Sequence, residues 1–469
     1  MKNRTKRLLL AGVITCSMLV GCLGEIANAA ESDLFVTKAA NVKEIPSTEL
    51  ESVYELPVDS NLLEGWAEGP QIYSEAGIVM DIDSGAILYA KNIDDRHYPA
   101  SITKIMTALV VFQNYEMDET VSFTWDDVGF LEYGDAHIGI KPDEEVGMED
   151  CLYGMLLASA NEVSHALGAH MEGGYEEFLK VMNETSAELG CENSHWMNTH
   201  GLHDEQHYTC CRDMALIGSE LFQYEKFREI TSTYQHTIPE TNITDETRTF
   251  QQNHDMINQW SNRYYEYCVG GKTGYTDQAL TTLVTFATKD DMNLVAVVMR
   301  THGGGGNAYV DTREMLDYAF DNFSKVAVST EDIECEDIAE IGEESYVIVP
   351  KGLSVEKLEY VFEEPAEVGD KTGKITYLYH GQPVGSMKAT ITEEYYNEVH
   401  GIEETKEEEK RDSEDKFKIP GVIKIIVVII LILFIGFLIL LQYIKYKKRL
   451  MRKRRHKRRR SQRKNRRYE

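Results

Sequence analysis

From Ile425 to Tyr443 the chain runs without a single charged side chain, and almost every residue is apolar. A helix of roughly 20 such residues crosses about 30 Å of hydrocarbon. Lys424 at its outer edge can snorkel toward the headgroups. Residues 445–469 hold sixteen Lys or Arg against one acid, a net of +15. Such a tail stays cytoplasmic by the positive-inside rule. The pattern predicts a single membrane-crossing helix over 420–444, with the preceding body outside the cell membrane and the tail inside. The whole chain carries −30, so removing the +15 tail leaves −45 on the rest. A body this acidic is repelled by phosphate backbones, which argues against nucleic acid as a partner.

The N-terminus supports the same topology. Lys2 to Arg7 are basic, Leu8 to Val20 are mostly apolar, and small residues follow. That is the build of a secretory signal peptide, expected over 1–29. Ala27-Asn28-Ala29 fits signal-peptidase cleavage, whereas Leu19-Val20-Gly21-Cys22 resembles a lipobox that would leave a lipidated Cys22. Both readings stay open. Beyond Cys16 and Cys22 the chain has Cys151, Cys191, Cys210, Cys211, Cys268 and Cys335. Export permits disulfides, but spacing does not decide the pairing, and these six are expected to be structural or free.

Between the two ends the composition changes several times. Residues 30–70 read as an acidic, weakly patterned leader. A main domain is expected over 71–324. It opens on a hairpin pattern, with Ile78-Val79-Met80, a turn at Asp83-Ser84-Gly85, then Ile87-Leu88-Tyr89. Helical patterns dominate from 101 to 230. A second hairpin follows, Leu283–Ala287 and Leu294–Met299 about Thr288-Lys289-Asp290-Asp291, and a helix with Tyr309, Met315, Leu316, Ala319 and Phe320 apolar closes the domain. Hairpins imply antiparallel pairing. The economical α+β arrangement is an antiparallel sheet joining both ends of the domain, with a helical lobe inserted. Residues 325–400 read as a small β-rich domain, and 401–419 as a charged, solvated linker.

Three short motifs stand in order: Ser101-Ile102-Thr103-Lys104, Ser159-Ala160-Asn161 and Lys272-Thr273-Gly274. Pro99 restricts its predecessor, and the run Ile102–Phe112 looks helical, so Ser101 is expected at a helix N-terminus. There the helix dipole and free N–H groups favour a developing oxyanion. Lys104 lies one turn on, on the same face. A serine hydroxyl needs a base, and a lysine can serve only when its pKa is lowered by burial or a second cation. Lys272 could be that cation, Ser159 a proton relay, and Asn161 an orienter of Lys104. Thr273 offers a hydroxyl to a substrate carboxylate, and Gly274 would let substrate backbone approach a strand edge. A second Lys-Thr-Gly, at 371–373, follows Gly369-Asp370 and reads as a turn in the β-rich domain.

With these residues in view, the chain resembles the D-alanyl-D-alanine carboxypeptidases, the low-molecular-mass penicillin-binding proteins. The likeness rests on Tyr98-Pro99-Ala100-Ser101-Ile102-Thr103-Lys104-Ile105-Met106-Thr107 and on Gly270-Gly271-Lys272-Thr273-Gly274-Tyr275-Thr276. It extends to Phe178, Met182-Asn183, Leu189-Gly190, His200-Gly201-Leu202 and Arg212-Asp213-Met214-Ala215. The resemblance implies a penicillin-binding transpeptidase-like fold over 71–324 and the family's C-terminal β-domain after it. It implies removal of the terminal D-alanine from peptidoglycan stem pentapeptides through an acyl-enzyme on Ser101, with β-lactams as covalent inhibitors and no cofactor. Lys104 is then the base, with Ser159 and Asn161 as relay and orienter. Lys272 and Thr273 grip the terminal carboxylate, and the N–H groups of Ser101 and Tyr275 form the oxyanion hole. Ala160 and Glu162 depart from the family's usual Gly and Asp.

Alternatives remain at this point. A class A β-lactamase shares the motifs but needs a deacylating Glu in an E-x-x-L-N context. The nearest match, Glu176-Glu177-Phe178-Leu179-Lys180, has Lys180 in place of that Asn. A penicillin-binding sensor or scaffold with little turnover is the non-enzymatic alternative. His203-Asp204-Glu205-Gln206-His207 has the i, i+4 histidines of a zincin, but Asp204 stands where the general-base Glu belongs, so no metal is expected.

Overall fold

The computed structural model describes residues 50–399, apart from 334, 336, 343–344 and 366–370. The expected signal peptide, the first part of the leader, the charged linker, the 420–444 span and the basic tail lie outside the described residues, as do Cys16, Cys22 and Gly369-Asp370. Among the described residues no helix is long and apolar enough to cross a membrane.

A five-stranded antiparallel sheet organises the chain. Its order is Ile87–Lys91, Ser74–Asp81, Met292–Thr301, Leu280–Lys289 and Cys268–Thr276. The first hairpin and the last are thus joined side by side, with Val79 opposite Ala296. Asp290 and Asp291, at φ +50° and +61°, close the late hairpin as a two-residue turn, which needs positive φ at both positions. Thr288 and Lys289, expected in that turn, pair in the ladder instead.

Side chains alternate across this sheet, and both faces are covered. Ile78, Met80, Val295, Val297 and Met299 face the helical lobe. Val79, Leu294, Ala296 and Val298 form a second core with Met315, Leu316 and Ala319 of the helix Gly305–Asn322.

The lobe holds the helices Thr103–Asn114, Met148–Leu157, Asn161–Ala169, Tyr175–Glu188, Cys211–Phe222 and Glu225–Ser232. Thr103–Asn114 is buried from Thr103 through Val111. A helix buried on every side belongs in the middle of a bundle. Its N-terminus meets the sheet near the edge strand Cys268–Thr276, because Thr282 on the neighbouring strand donates to the Pro99 carbonyl at 2.8 Å.

Two parts of the sequence reading change. The leader is part of the fold from residue 50 onward: Val53 and Val58 are buried, the first in a helix (Leu50–Tyr54) too short to show a period. Lys91 fastens this segment, its buried amine donating to Val53 O at 3.0 Å and Ile72 O at 2.9 Å. The second Lys-Thr-Gly is not a turn. Thr372 and Gly373 open the strand Thr372–Tyr379, with Gly373 opposite Ala389. A Cβ at Gly373 would overlap the Glu363 carbonyl, so glycine serves a close strand approach here. This strand belongs to a four-stranded sheet, ordered Ile338–Ile341, Gln382–Ile391, Thr372–Tyr379 and Glu359–Glu363. Val347, Val349, Ile375, Tyr377 and Val384 fill the β-rich domain's core. All six described cysteines are free thiols.

Burial lowers the Lys91 amine to about 8 from 10.5, against the opposing pull of Asp311, Glu75 and Asp59. Between those two values the unfolded chain holds a proton that the folded protein has released. Unfolding free energy therefore rises with pH across that window. Lys91→Met should flatten the rise and lower stability by about 2 kcal/mol at neutral pH, since two buried carbonyls lose their donor. Urea unfolding at several pH values checks both.

Candidate active site

Ser101 lies in a short 3-10 turn, Ala100–Ile102, that runs directly into the helix Thr103–Asn114. Lys104, one turn on, is fully buried. Its Nζ lies 3.2 Å from Ser101 Oγ, 2.7 Å from Asn161 Oδ1 and 2.6 Å from the His200 carbonyl oxygen. Burial holds its pKa well below the ordinary lysine value, and Lys272 pushes the same way, while Glu162 and Asp135 oppose. A neutral amine has two N–H bonds and one lone pair. Asn161 Oδ1 and His200 O can only accept, so they take the two N–H groups. The lone pair is left for the Ser101 hydroxyl, which is the geometry of a general base on a serine nucleophile.

The edge strand brings the third motif to the same place. Lys272 is buried, and burial lowers its pKa to about 7. Its Nζ donates to the Thr273 carbonyl at 2.7 Å. His254 stands nearby, neutral because burial and then Lys272 lower its pKa to about 4, and bonded through Nε2 to Thr285 Oγ1 at 2.8 Å. A Cβ on Gly274 would stand 2.9 Å from the Ser101 backbone nitrogen. The glycine therefore serves contact between the strand and the nucleophile's own backbone, where the sequence suggests room for a substrate. Ser101, Ser159, Thr273, Gly274 and Tyr275 line one cleft of about 580 Å³. A larger hollow of about 1160 Å³, beside Asp83, Lys325 and Tyr346, contains none of the motif residues.

All eight residues singled out from the sequence thus converge: Ser101, Lys104, Ser159, Asn161, Lys272, Thr273, Gly274 and Tyr275. The expected relay through Ser159 is the part that differs. Ser159, at φ +63°, lines the cleft, but the three polar contacts of Lys104 go to Ser101, Asn161 and His200. Sequence reasoning misses the His200 carbonyl, because a backbone acceptor has no side-chain signature; the adjacent Gly201 is the available hint. At φ +86°, any Cβ on Gly201 would overlap the Ala100 carbonyl, so this glycine lets the 200–201 loop reach the nucleophile turn. Glu162 is not among the residues lining the cleft, and its carboxylate accepts the Ile138 N–H at 2.8 Å. Glu177, in the β-lactamase-like match, pairs with Lys180 at 3.1 Å, and neither lines the cleft.

Comparison with known proteins places the chain in a family. The sequence profile of the D-alanyl-D-alanine carboxypeptidase family matches residues 64–303. The chain is 34% identical to D-alanyl-D-alanine carboxypeptidase DacF of Bacillus subtilis over 255 residues, which is 53% of this chain and 63% of that relative, less than two thirds of its length. It is 28% identical to DacA of Haemophilus influenzae over 69% of this chain and 85% of the relative. The crystal structure of penicillin binding protein 5 from Haemophilus influenzae superposes with a TM-score of 0.57 at 25% identity, covering 70% of this chain and 98% of that one.

The Glu162 carboxylate raises the Lys104 pKa. Glu162→Gln keeps an acceptor for Ile138 and removes that charge, so Lys104 should lose its proton at lower pH. The acid limb of the acylation profile should move to lower pH, checked by penicillin acylation rates across pH.

Proposed function

The chain belongs to the D-alanyl-D-alanine carboxypeptidase family, and from that premise we propose that it removes the terminal D-alanine from peptidoglycan stem pentapeptides. The observation that carries this reading is the Lys104 amine, buried, flanked by two acceptors and 3.2 Å from Ser101 Oγ. Ser101 attacks the carbonyl between the two D-alanines while Lys104 takes its proton. The negative oxygen of the tetrahedral intermediate meets the N–H groups of Ser101 and Tyr275. Lys104 then returns the proton to the leaving amine of D-alanine, and water releases the shortened peptide from the acyl-enzyme. Thr273 and the Lys272 cation hold the terminal carboxylate. A β-lactam enters by the same route and leaves a covalent adduct on Ser101.

The setting follows from the ends of the chain. An N-terminal signal peptide exports the catalytic domain, the 420–444 segment crosses the cell membrane once, and the basic 445–469 tail remains in the cytoplasm. The enzyme then meets its substrate on the outer side of the membrane, where stem peptides are exposed.

The test uses the purified full chain. D-alanine should be released from a muropeptide pentapeptide, and a fluorescent penicillin should map to Ser101. Ser101→Ala should abolish both. Lys104→Ala should slow acylation by about a thousandfold, the range of a lost general base. Circular dichroism should show that variant still folded, at a lower melting temperature because Asn161 Oδ1 and the His200 carbonyl lose their donor. Equal, negligible release by wild type and Ser101→Ala would overturn the carboxypeptidase reading in favour of a scaffold.

A further inference from the structure

The histidine pair at 203 and 207 finds no use in the reaction as described, yet His207 is buried against the nucleophile turn. Its Nδ1 accepts the Met197 backbone N–H at 2.9 Å. Nδ1 therefore carries no proton, and in a neutral ring the proton sits on Nε2. Nε2 lies 2.8 Å from Thr103 Oγ1. That hydroxyl in turn lies 2.8 Å from the Ala100 carbonyl, which can only accept. The chain of donors has one direction: Met197 N–H to His207, His207 Nε2–H to Thr103, Thr103 O–H to Ala100 O.

Ala100 is the residue before Ser101, and its φ of +50° lies in the left-handed region that a side chain disfavours. Such a conformation persists only where its surroundings hold it. Two threonine hydroxyls bracket it, Thr282 on the Pro99 carbonyl and Thr103 on the Ala100 carbonyl. Neither ring nitrogen of His207 faces solvent, since the residue is 2% exposed.

We infer that His207 is a positioning residue for the nucleophile: it fixes the direction of the Thr103 hydroxyl, which pins the left-handed Ala100 and with it the place of Ser101 Oγ relative to Lys104. This rests on Ser101 being the acylated residue.

The experiment measures the acylation rate constant and the preceding dissociation constant for a fluorescent penicillin, on the full chain and four variants. Thr103→Val keeps the shape and loses the hydroxyl, so its rate constant should fall about tenfold to a hundredfold, as a misplaced reacting group does, with the dissociation constant unchanged. Thr103→Ser should restore the rate to within about twofold of wild type. His207→Phe should fall like Thr103→Val, and the double variant should fall no further, because both changes break one chain. A wild-type rate in Thr103→Val, or a double variant that loses the product of the two single effects, overturns the inference. Nitrogen-15 NMR of the wild type gives a check independent of variant folding: a proton on His207 Nε2 is required, and a proton on Nδ1 overturns it. Absence of label on wild-type Ser101 would instead overturn the functional reading, and this inference with it.

Discussion

An amine that cannot afford a charge governs this active site. Lys104 is buried, Lys272 stands near it, and both effects favour the neutral form. The two acceptors around it, Asn161 Oδ1 and His200 O, use up the N–H bonds of that neutral form and leave its lone pair facing Ser101. An ordinary ammonium in the same place would present only donors, and the serine would have no base.

Four distant segments of the chain meet at that amine, one of them the 200–201 loop with its His200 carbonyl. The turn Ala100–Ile102 and the helix Thr103–Asn114 supply Ser101 and Lys104 one turn apart. The junction before Asn161–Ala169 supplies Ser159, and the helix itself Asn161. The edge strand Cys268–Thr276 supplies Lys272 through Tyr275. Contacts between them are backbone-close: Gly274 against the Ser101 nitrogen, Gly201 against the Ala100 carbonyl. Each glycine sits where a Cβ would push a segment away, so the spacing of the chemistry depends on two missing side chains.

Much of this is legible in the sequence. The hairpins show because apolar runs flank polar turns, and the nucleophile helix shows because Pro99 precedes an apolar run. Seven of the site residues show because each motif has a side-chain identity, and Tyr275 shows only through the family resemblance. What stays hidden lacks such an identity. The His200 carbonyl is backbone, Gly274's neighbour is another part of the same protein, and the Leu50–Tyr54 helix is shorter than two turns. The second Lys-Thr-Gly misleads because a glycine that allows a close strand approach looks, in sequence, like one that makes a turn. In sequence His207 has no reading beyond a zincin-like spacing that Asp204 argues against, since its partner Thr103 lies 104 residues earlier and only the folded chain brings them together.

The charge state of Lys104 can be read directly. In full-length protein carrying carbon-13 at lysine Cε, the Lys104 signal, assigned by its loss in Lys104→Arg, reports protonation through its chemical shift. A buried amine beside Lys272 should titrate to the shift of a neutral amine well below 10.5, the ordinary lysine value. An ammonium shift that persists up to that ordinary value would contradict a lysine base and remove the central feature of the site.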